Sequence, residues 1–350
     1  MGKVAIEPER ILVIRLSSIG DVVMATPIAE ALKARFPKAF LGWAVDKRCA
    51  EVVEGNPFVD EVFVWDRTVR GLFRLGRELR RLRFDLVVDA QGQLRSGVLA
   101  WLTGAPVRLG FSDAKEGSRV FLNLRGPRRS PWRRPQEIYL RLLAPLGVRA
   151  NLDNFPMRFP VGEEDRAWAR EFLKRCGLSE GEFLALGPGT RVGIKLWSEE
   201  RWGRLAREAK RRFGLRVVLL GSPAERALCE RIGRRAPSAV AGVAAGEATL
   251  KQSAALIEAS RLYIGVDSGL LFVAMAVGTL AVGIFGPTRF DLLEGEPSAL
   301  VVTKQGLFPC APCKKHPRCE PNEEGIRPCM AAVSVEEVLG AVERGLMVGR

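Results

Sequence analysis

The sequence predicts an α/β protein of the doubly wound, parallel-sheet class, with that plan built twice in tandem. Three observations carry the expectation. Short apolar runs alternate with helical patterns along the whole chain. Several runs, such as ILVIRL (11–16), DLVVDA (85–90) and RVVLLG (216–221), are continuously apolar instead of alternating, as strands covered on both faces are. The length, 350 residues, exceeds what one compact core usually holds.

In the first half, strands are expected at 11–16, 40–45, 61–65, 85–90 and 107–111. Helical patterns lie between them near 24–36, 47–54, 68–83 and 93–103. Periodicity weakens from 112 to 135, and a helix then runs near 136–147. The following segment, GVRANLDNFPMRFPVGEED, has two prolines and little periodicity, so the domain boundary belongs there. In the second half, strands are expected at 183–187, 216–221, 261–266, 280–285 and 299–303. Its helices fall near 164–176, 198–213, 223–235, 249–259 and 268–277. A last helix, 334–347, opens on SVEE, a capping-box pattern from Ser334 to Glu337. The domains read as 1–157 and 158–333, with 334–350 a terminal helix that packs back on the first domain.

Absences prune the function classes. The single histidine, His316, excludes a Ser-His-Asp or Cys-His arrangement elsewhere in the chain. No GxGxxG follows the first strand, no Walker A motif occurs, and no DxD pair is present to hold a metal on a nucleotide diphosphate. A general base must then come first from a carboxylate. The amino terminus has no secretory pattern, and FVAMAVGTLAVGIF (272–285) is too short to span a bilayer, so a cytoplasmic protein is expected. The formal net charge of +14 favours a polyanionic partner. Two runs carry much of it, RGLFRLGRELRRLRF (70–84) and RGPRRSPWRRP (125–135); each also reads as a solvated face or a basic loop.

In doubly wound sheets, ligands sit at the carboxyl ends of the strands, so the loops there hold the chemistry. SSIGD places Ser17, Ser18 and Gly20 at a helix start, with Asp21 either capping the helix or acting as a base. GPGTRVGIKLW (187–197) offers glycines, the Thr190 hydroxyl and the Lys195 cation, a set that suits phosphate. GVDSG (265–269) aims the N–H groups of Ser268, Gly269 and Leu270 outward, while Asp267 orients the loop or meets a sugar hydroxyl. GSPAE puts Glu225 in the first turn of a helix, where it serves the helix or a ribose.

These loops, with FDLVVDAQGQLRS, IFGPT and the terminal CAPCKKHPRC…CM…VSVEEVL, occur in an order that resembles the ADP-heptose:lipopolysaccharide heptosyltransferases, glycosyltransferase family 9. The resemblance spans nearly the whole chain. It implies a GT-B fold: two Rossmann-like domains facing a central cleft that holds the active site. It implies metal-independent, inverting transfer of heptose from ADP-heptose to the inner core of lipopolysaccharide, on Kdo-lipid A or a first heptose. On the family pattern Asp21 is the general base. Thr190, Lys195, Glu225, Asp267, Ser268 and Gly269 hold the donor, and Ser17, Ser18, Gly20, Gln91 and Arg95 the acceptor. Arg95 and the two basic runs are where contact with an anionic inner-membrane surface is expected. One departure stands out: the family histidine three residues after the DSG glycine is Phe272 here, which puts the donor in question.

Seven cysteines are present; Cys49, Cys176 and Cys229 are scattered in apolar segments. Cys310, Cys313, Cys319 and Cys329 cluster, and read as a structural zinc or iron–sulfur site, as reduced thiols, or as a disulfide pair. A related GT-B transferase or sugar-nucleotide epimerase with another donor is the rival enzyme reading. A non-enzymatic polyanion binder is a third; nucleic acid is not expected, because no basic stripe is interleaved with stacking aromatics.

Overall fold

A computed structural model describes residues 6–129, 134, 136–149, 153–313 and 319–348. The chain divides into two compact units, Met1–Pro160 and Val161–Arg350, with the division inside the proline-bearing segment.

The first unit runs β1 (Arg10–Ile14), α1 (Ile19–Ala25), α2 (Pro27–Arg35), β2 (Phe40–Asp46), β3 (Glu61–Trp65), α3 (Val69–Arg81), β4 (Leu86–Asp89), α4 (Leu94–Leu102), β5 (Val107–Phe111), β6 (Leu124–Gly126) and α5 (Glu137–Leu142). The second runs α6 (Glu163–Arg175), β7 (Phe183–Gly187), α7 (Glu199–Phe213), β8 (Arg216–Leu219), α8 (Arg226–Arg235), β9 (Val240–Val243), α9 (Leu250–Glu258), β10 (Leu262–Val266), α10 (Gly269–Ala276), β11 (Ala281–Phe285), β12 (Ala299–Thr303), α11 (Pro328–Ala331) and α12 (Val335–Val348).

Each unit holds one six-stranded sheet, ordered β3-β2-β1-β4-β5-β6 and β12-β11-β10-β7-β8-β9. All pairings are parallel. The central strands β4, β7, β10 and β11 are buried along their whole length, which is why their sequences do not alternate. In both sheets the order reverses between two adjacent central strands, β1 and β4, then β7 and β10, and that is where such sheets open to ligands.

Helices follow from caps and apolar stripes. Thr68 Oγ1 accepts the Gly71 N–H at 2.8 Å to start α3, and Leu72, Leu75 and Leu79 turn inward at helical spacing. In α7, Trp202, Leu205, Ala206 and Ala209 face the core, and Gly214, at φ 72°, ends the helix in the left-handed conformation that favours glycine.

The structure corrects several expectations. The helix expected at 24–36 is two helices: Pro27 lacks an N–H to donate and takes the N1 position of a new one, α2. The pattern at 47–54 yields only a 3₁₀ turn, Ala50–Val52. The helix expected at 136–147 stops at Leu142, and a 3₁₀ turn, Ala144–Leu146, carries Pro145. β6 and β9 escape a sequence reading because LRG and VAGV carry no bulky apolar run. The terminal helix packs within the second unit. Val335, Val338, Leu339, Ala341 and Val342 of α12 belong to the second unit's core, with Leu205 of α7, Ile264 of β10 and Val282 of β11. Trp197 Nε1 donates to Val333 O at 3.0 Å and ties the loop after β7 to the residues leading into α12.

Candidate active site

Arg15 follows β1 and points into the protein, 6% exposed. Its guanidinium lies 5.3 Å from the Tyr139 ring centre, and Nη1 donates to Ala90 O at 3.1 Å. Burial works against its charge, but Tyr139, Asp21 and Asp89 outweigh that and raise its pKa, so the site holds a permanent buried cation. Arg15 Nη2 meets Asp21 Oδ1 at 2.8 Å. Asp21 Oδ2 accepts from the Ser18 N–H at 3.1 Å and the Ser18 hydroxyl at 2.7 Å. Asp21 therefore does the capping work of a residue in the first turn of α1. Its side chain is still 39% exposed and open to a ligand.

The loop after β4 braces this arrangement. Gln91, expected to contact the acceptor, is buried, and its Oε1 accepts the Leu16 and Ser17 N–H groups at 3.1 and 3.2 Å. Its Nε2 donates to Gln93 Oε1, which also accepts from Arg95 Nη2, both at 2.8 Å. Asp89, at the end of β4, accepts from the Gln91 and Gly92 N–H groups and the Ser96 hydroxyl. Burial raises its pKa against the pull of those donors and of Arg129. Gly92 has φ +63°, and an added Cβ would stand 2.2 Å from Arg129 Nη2, which donates to Gly92 O. One arginine of the second basic run is thus folded onto this loop; residues 130–133 and 135 of that run lie outside the described residues.

In the second unit, the loops after β7, β8 and β10 assemble Thr190, Lys195, Glu225, Asp267, Ser268 and Gly269 at the carboxyl end of the sheet. Lys195 Nζ is held by Asp267 Oδ2 at 2.7 Å and Asp267 O at 3.2 Å. Asp267 therefore anchors the cation as well as the loop. Ser268 stands at the N-cap of α10 in extended conformation. As at any helix start, the first N–H groups have no partner within the helix and favour an anion. A cavity of about 460 Å³ is lined by Thr190 and Glu225 with Leu196, Ser198, Leu228 and Arg231. Glu225 Oε2 caps its own turn by accepting from the Ser222 N–H and hydroxyl.

The glycines of these loops answer to the protein first. An added Cβ at Gly187 would lie 2.0 Å from the Tyr263 hydroxyl, and one at Gly265 2.3 Å from it. At Gly189 it would meet the Glu225 carboxyl at 2.4 Å. Phe272 is buried in α10.

Of the four clustered cysteines, Cys310 is exposed, Cys313 and Cys319 half-buried and Cys329 buried, and all are free thiols. Burial pushes the Cys329 thiol up to about 11, with Cys313 and Cys319 adding to the rise. Among the described residues no group of three or more His, Cys, Asp or Glu is arranged to hold a metal. His316 lies outside the described residues.

Two Rossmann-type units, each with polar loops at the switch point of its sheet, give the plan of the GT-B fold class. The family model for glycosyltransferase family 9 (heptosyltransferase) matches residues 72–322, and the chain belongs to that family. Lipopolysaccharide heptosyltransferase 1 of Pseudomonas aeruginosa is 28% identical over 336 residues, 90% of this chain and 89% of that protein. A family 9 glycosyl transferase from Veillonella parvula superposes with a TM-score of 0.83 at 27% identity, over 97% of both chains. The E. coli ADP-heptose LPS heptosyltransferase II does so at 0.76 and 23%, over 97% of this chain and 99% of that one.

Proposed function

We propose that this enzyme transfers heptose from ADP-heptose to the inner core of lipopolysaccharide, on Kdo-lipid A or a first heptose, with inversion and without a catalytic metal. The observation that carries the reading is the Arg15–Asp21–Ser18 arrangement: one reachable carboxylate, fixed from both sides, at the switch point of the first sheet. Asp21 takes the proton from the acceptor hydroxyl, whose oxygen attacks the anomeric carbon. The bond from that carbon to the diphosphate breaks, and ADP leaves. Lys195, Thr190 and the first N–H groups of α10, at Ser268 and Gly269, receive the charge that develops on the diphosphate. Glu225 bonds the ribose from the cavity wall. Ser17, Ser18, Gly20 and Arg95 face the acceptor, and Gln91 holds their loop.

No helix among the described residues is long and apolar enough to cross a membrane. The reading puts the enzyme in the cytoplasm, at the inner face of the cytoplasmic membrane where its acceptor is anchored. Cys310, Cys313, Cys319 and Cys329 are the candidate ligands for a structural zinc or iron–sulfur centre, and the metal content of the purified protein decides that point.

A donor panel tests the reading. With a truncated core acceptor and excess chelator, ADP-heptose is expected to be consumed and ADP released, while ADP-hexoses and UDP- or GDP-sugars are poor donors. Because Phe272 stands where the family has histidine, preference for one of those other sugars would transfer the reading to a related GT-B enzyme.

A further inference from the structure

Nine large apolar side chains are exposed among the described residues, and five of them lie on three adjacent pieces of the first unit. Val69 and Phe73 are on α3, Leu94 and Trp101 on α4, and Val120 on the 3₁₀ turn Ser118–Phe121. Trp101 is 56% exposed and Val120 81%. The pieces form one surface. A Cβ at Gly76 of α3 would come within 2.7 Å of Leu102 of α4, and one at Gly97 of α4 within 2.5 Å of Ser118 in the turn. The Trp101 and Phe121 rings are 6.4 Å apart. The inward sides of α3 and α4 already fill the core through Leu72, Leu75, Leu79, Leu99 and Ala100. The outward apolar stripe is therefore surplus to folding.

The same surface is cationic in an unusual way. Arg70, Arg77, Arg80, Arg81 and Arg119 are exposed and make no ion pair among the described residues; Arg74 pairs with Asp66. α7 in the second unit is equally rich in arginine, yet Arg204, Arg207, Arg211 and Arg212 all pair with glutamates. Arg201 bonds the carbonyls of Ala331 and Val333. Asp66, Glu78 and Glu116 are acidic side chains on or beside the patch, and of these Asp66 is engaged by Arg74. Aromatic and aliphatic side chains interleaved with unpaired arginines fit the interface of an anionic bilayer, where rings sit at headgroup depth and guanidinium groups meet phosphate.

We infer that the α3–α4–turn surface docks this enzyme on anionic lipid. The stripe starts at Leu94, beside Arg95 and the loop that braces Asp21, so docking brings that loop to the lipid surface. The inference rests on the reading that the acceptor is lipid-borne, and it names the part of the chain that meets the lipid.

The test is flotation of the full-length protein with phosphatidylcholine vesicles, with and without phosphatidylglycerol. Wild type is expected to float only with phosphatidylglycerol and to be released by high salt. Phe73→Ser/Trp101→Ser and Arg70→Glu/Arg77→Glu/Arg81→Glu are each expected to lower vesicle affinity by about tenfold or more. In wild type but not Trp101→Phe, bromolipids should quench the Trp101 component of fluorescence, a readout that survives if a multiple variant folds poorly. Phe73→Ser/Trp101→Ser should keep its rate on an acyl-free acceptor and lose rate on a vesicle-embedded one. Equal flotation of wild type and both variants, no quenching, or a wild-type dimer that the apolar variant makes monomeric would each overturn the inference. Flotation needs no turnover, so binding without transfer would sink the heptosyltransferase reading alone.

Discussion

At the scale of single residues, Asp21 resolves a conflict visible in its sequence position. A carboxylate in the first turn of a helix is ordinary capping chemistry, and Asp21 does that work through Ser18. Arg15 engages the other oxygen from a buried position. Replacing Arg15 with Gln removes that hold and leaves Asp21, the proposed base, in place. The expected result is a fall in kcat of about tenfold or more, with KM for the nucleotide sugar within about twofold. Equal loss in kcat and donor affinity would show that Arg15 acts on the fold instead. Asp89 makes a separate prediction. Its pKa is raised by burial, so its contribution to stability is fully present below the unfolded carboxylate range and is lost as pH rises through the folded value. Asp89→Asn cannot ionise and keeps an acceptor for the Gln91 and Gly92 N–H groups. Denaturation midpoints of wild type should therefore fall relative to Asp89→Asn as pH rises from the acid side. Asp89→Ala, which leaves those N–H groups unpaired, should cost about 1–3 kcal/mol relative to Asp89→Asn at any pH. A flat difference between wild type and Asn would contradict the burial argument.

At the scale of elements, the strands and the loops proposed to carry chemistry are legible because an apolar run followed by small polar residues is a local signal. SSIGD, GPGT and GVDSG each follow a buried strand and open toward the carboxyl end of a sheet. The bracing is not legible. Gln91 meets Ser17 across 74 residues of sequence, and Asp267 meets Lys195 across 72. No window of periodicity contains such pairs. The glycines show the same limit: phosphate approach is a fair expectation for Gly187 and Gly189, but Tyr263 and Glu225 fill the space first. The terminal helix and its cap are visible in the sequence, but its partner is not, because an apolar stripe says that a helix is covered and not by what. Its side chains are buried in the second core, so Leu339→Ala should destabilise the protein by about 2–5 kcal/mol in urea unfolding. A change under about 0.5 kcal/mol would mean that α12 is not integral to that core.

At the scale of the whole molecule, a six-stranded parallel sheet is used twice, and each sheet places its polar loops at its own reversal point. The net charge of +14 is the sum of two different surfaces. The arginines of α7 are locked to glutamates or carbonyls, whereas those of α3 face solvent beside exposed rings. The basic run near 70–84 is plain in the sequence, but which of its arginines are unpaired is not, because pairing depends on side chains brought in from other elements. The most direct test of the central claim is the turnover of Asp21→Asn against wild type, followed as ADP released from ADP-heptose with core acceptor and excess chelator. Asparagine preserves the size of the side chain and an oxygen for Ser18, so the fold should hold while the base is lost. Chelator-resistant wild-type activity is expected, with a fall of about 10²–10⁴-fold in kcat for the variant; a variant within about twofold of wild type, or wild-type activity abolished by the chelator, would contradict Asp21 as the base of a metal-free transfer.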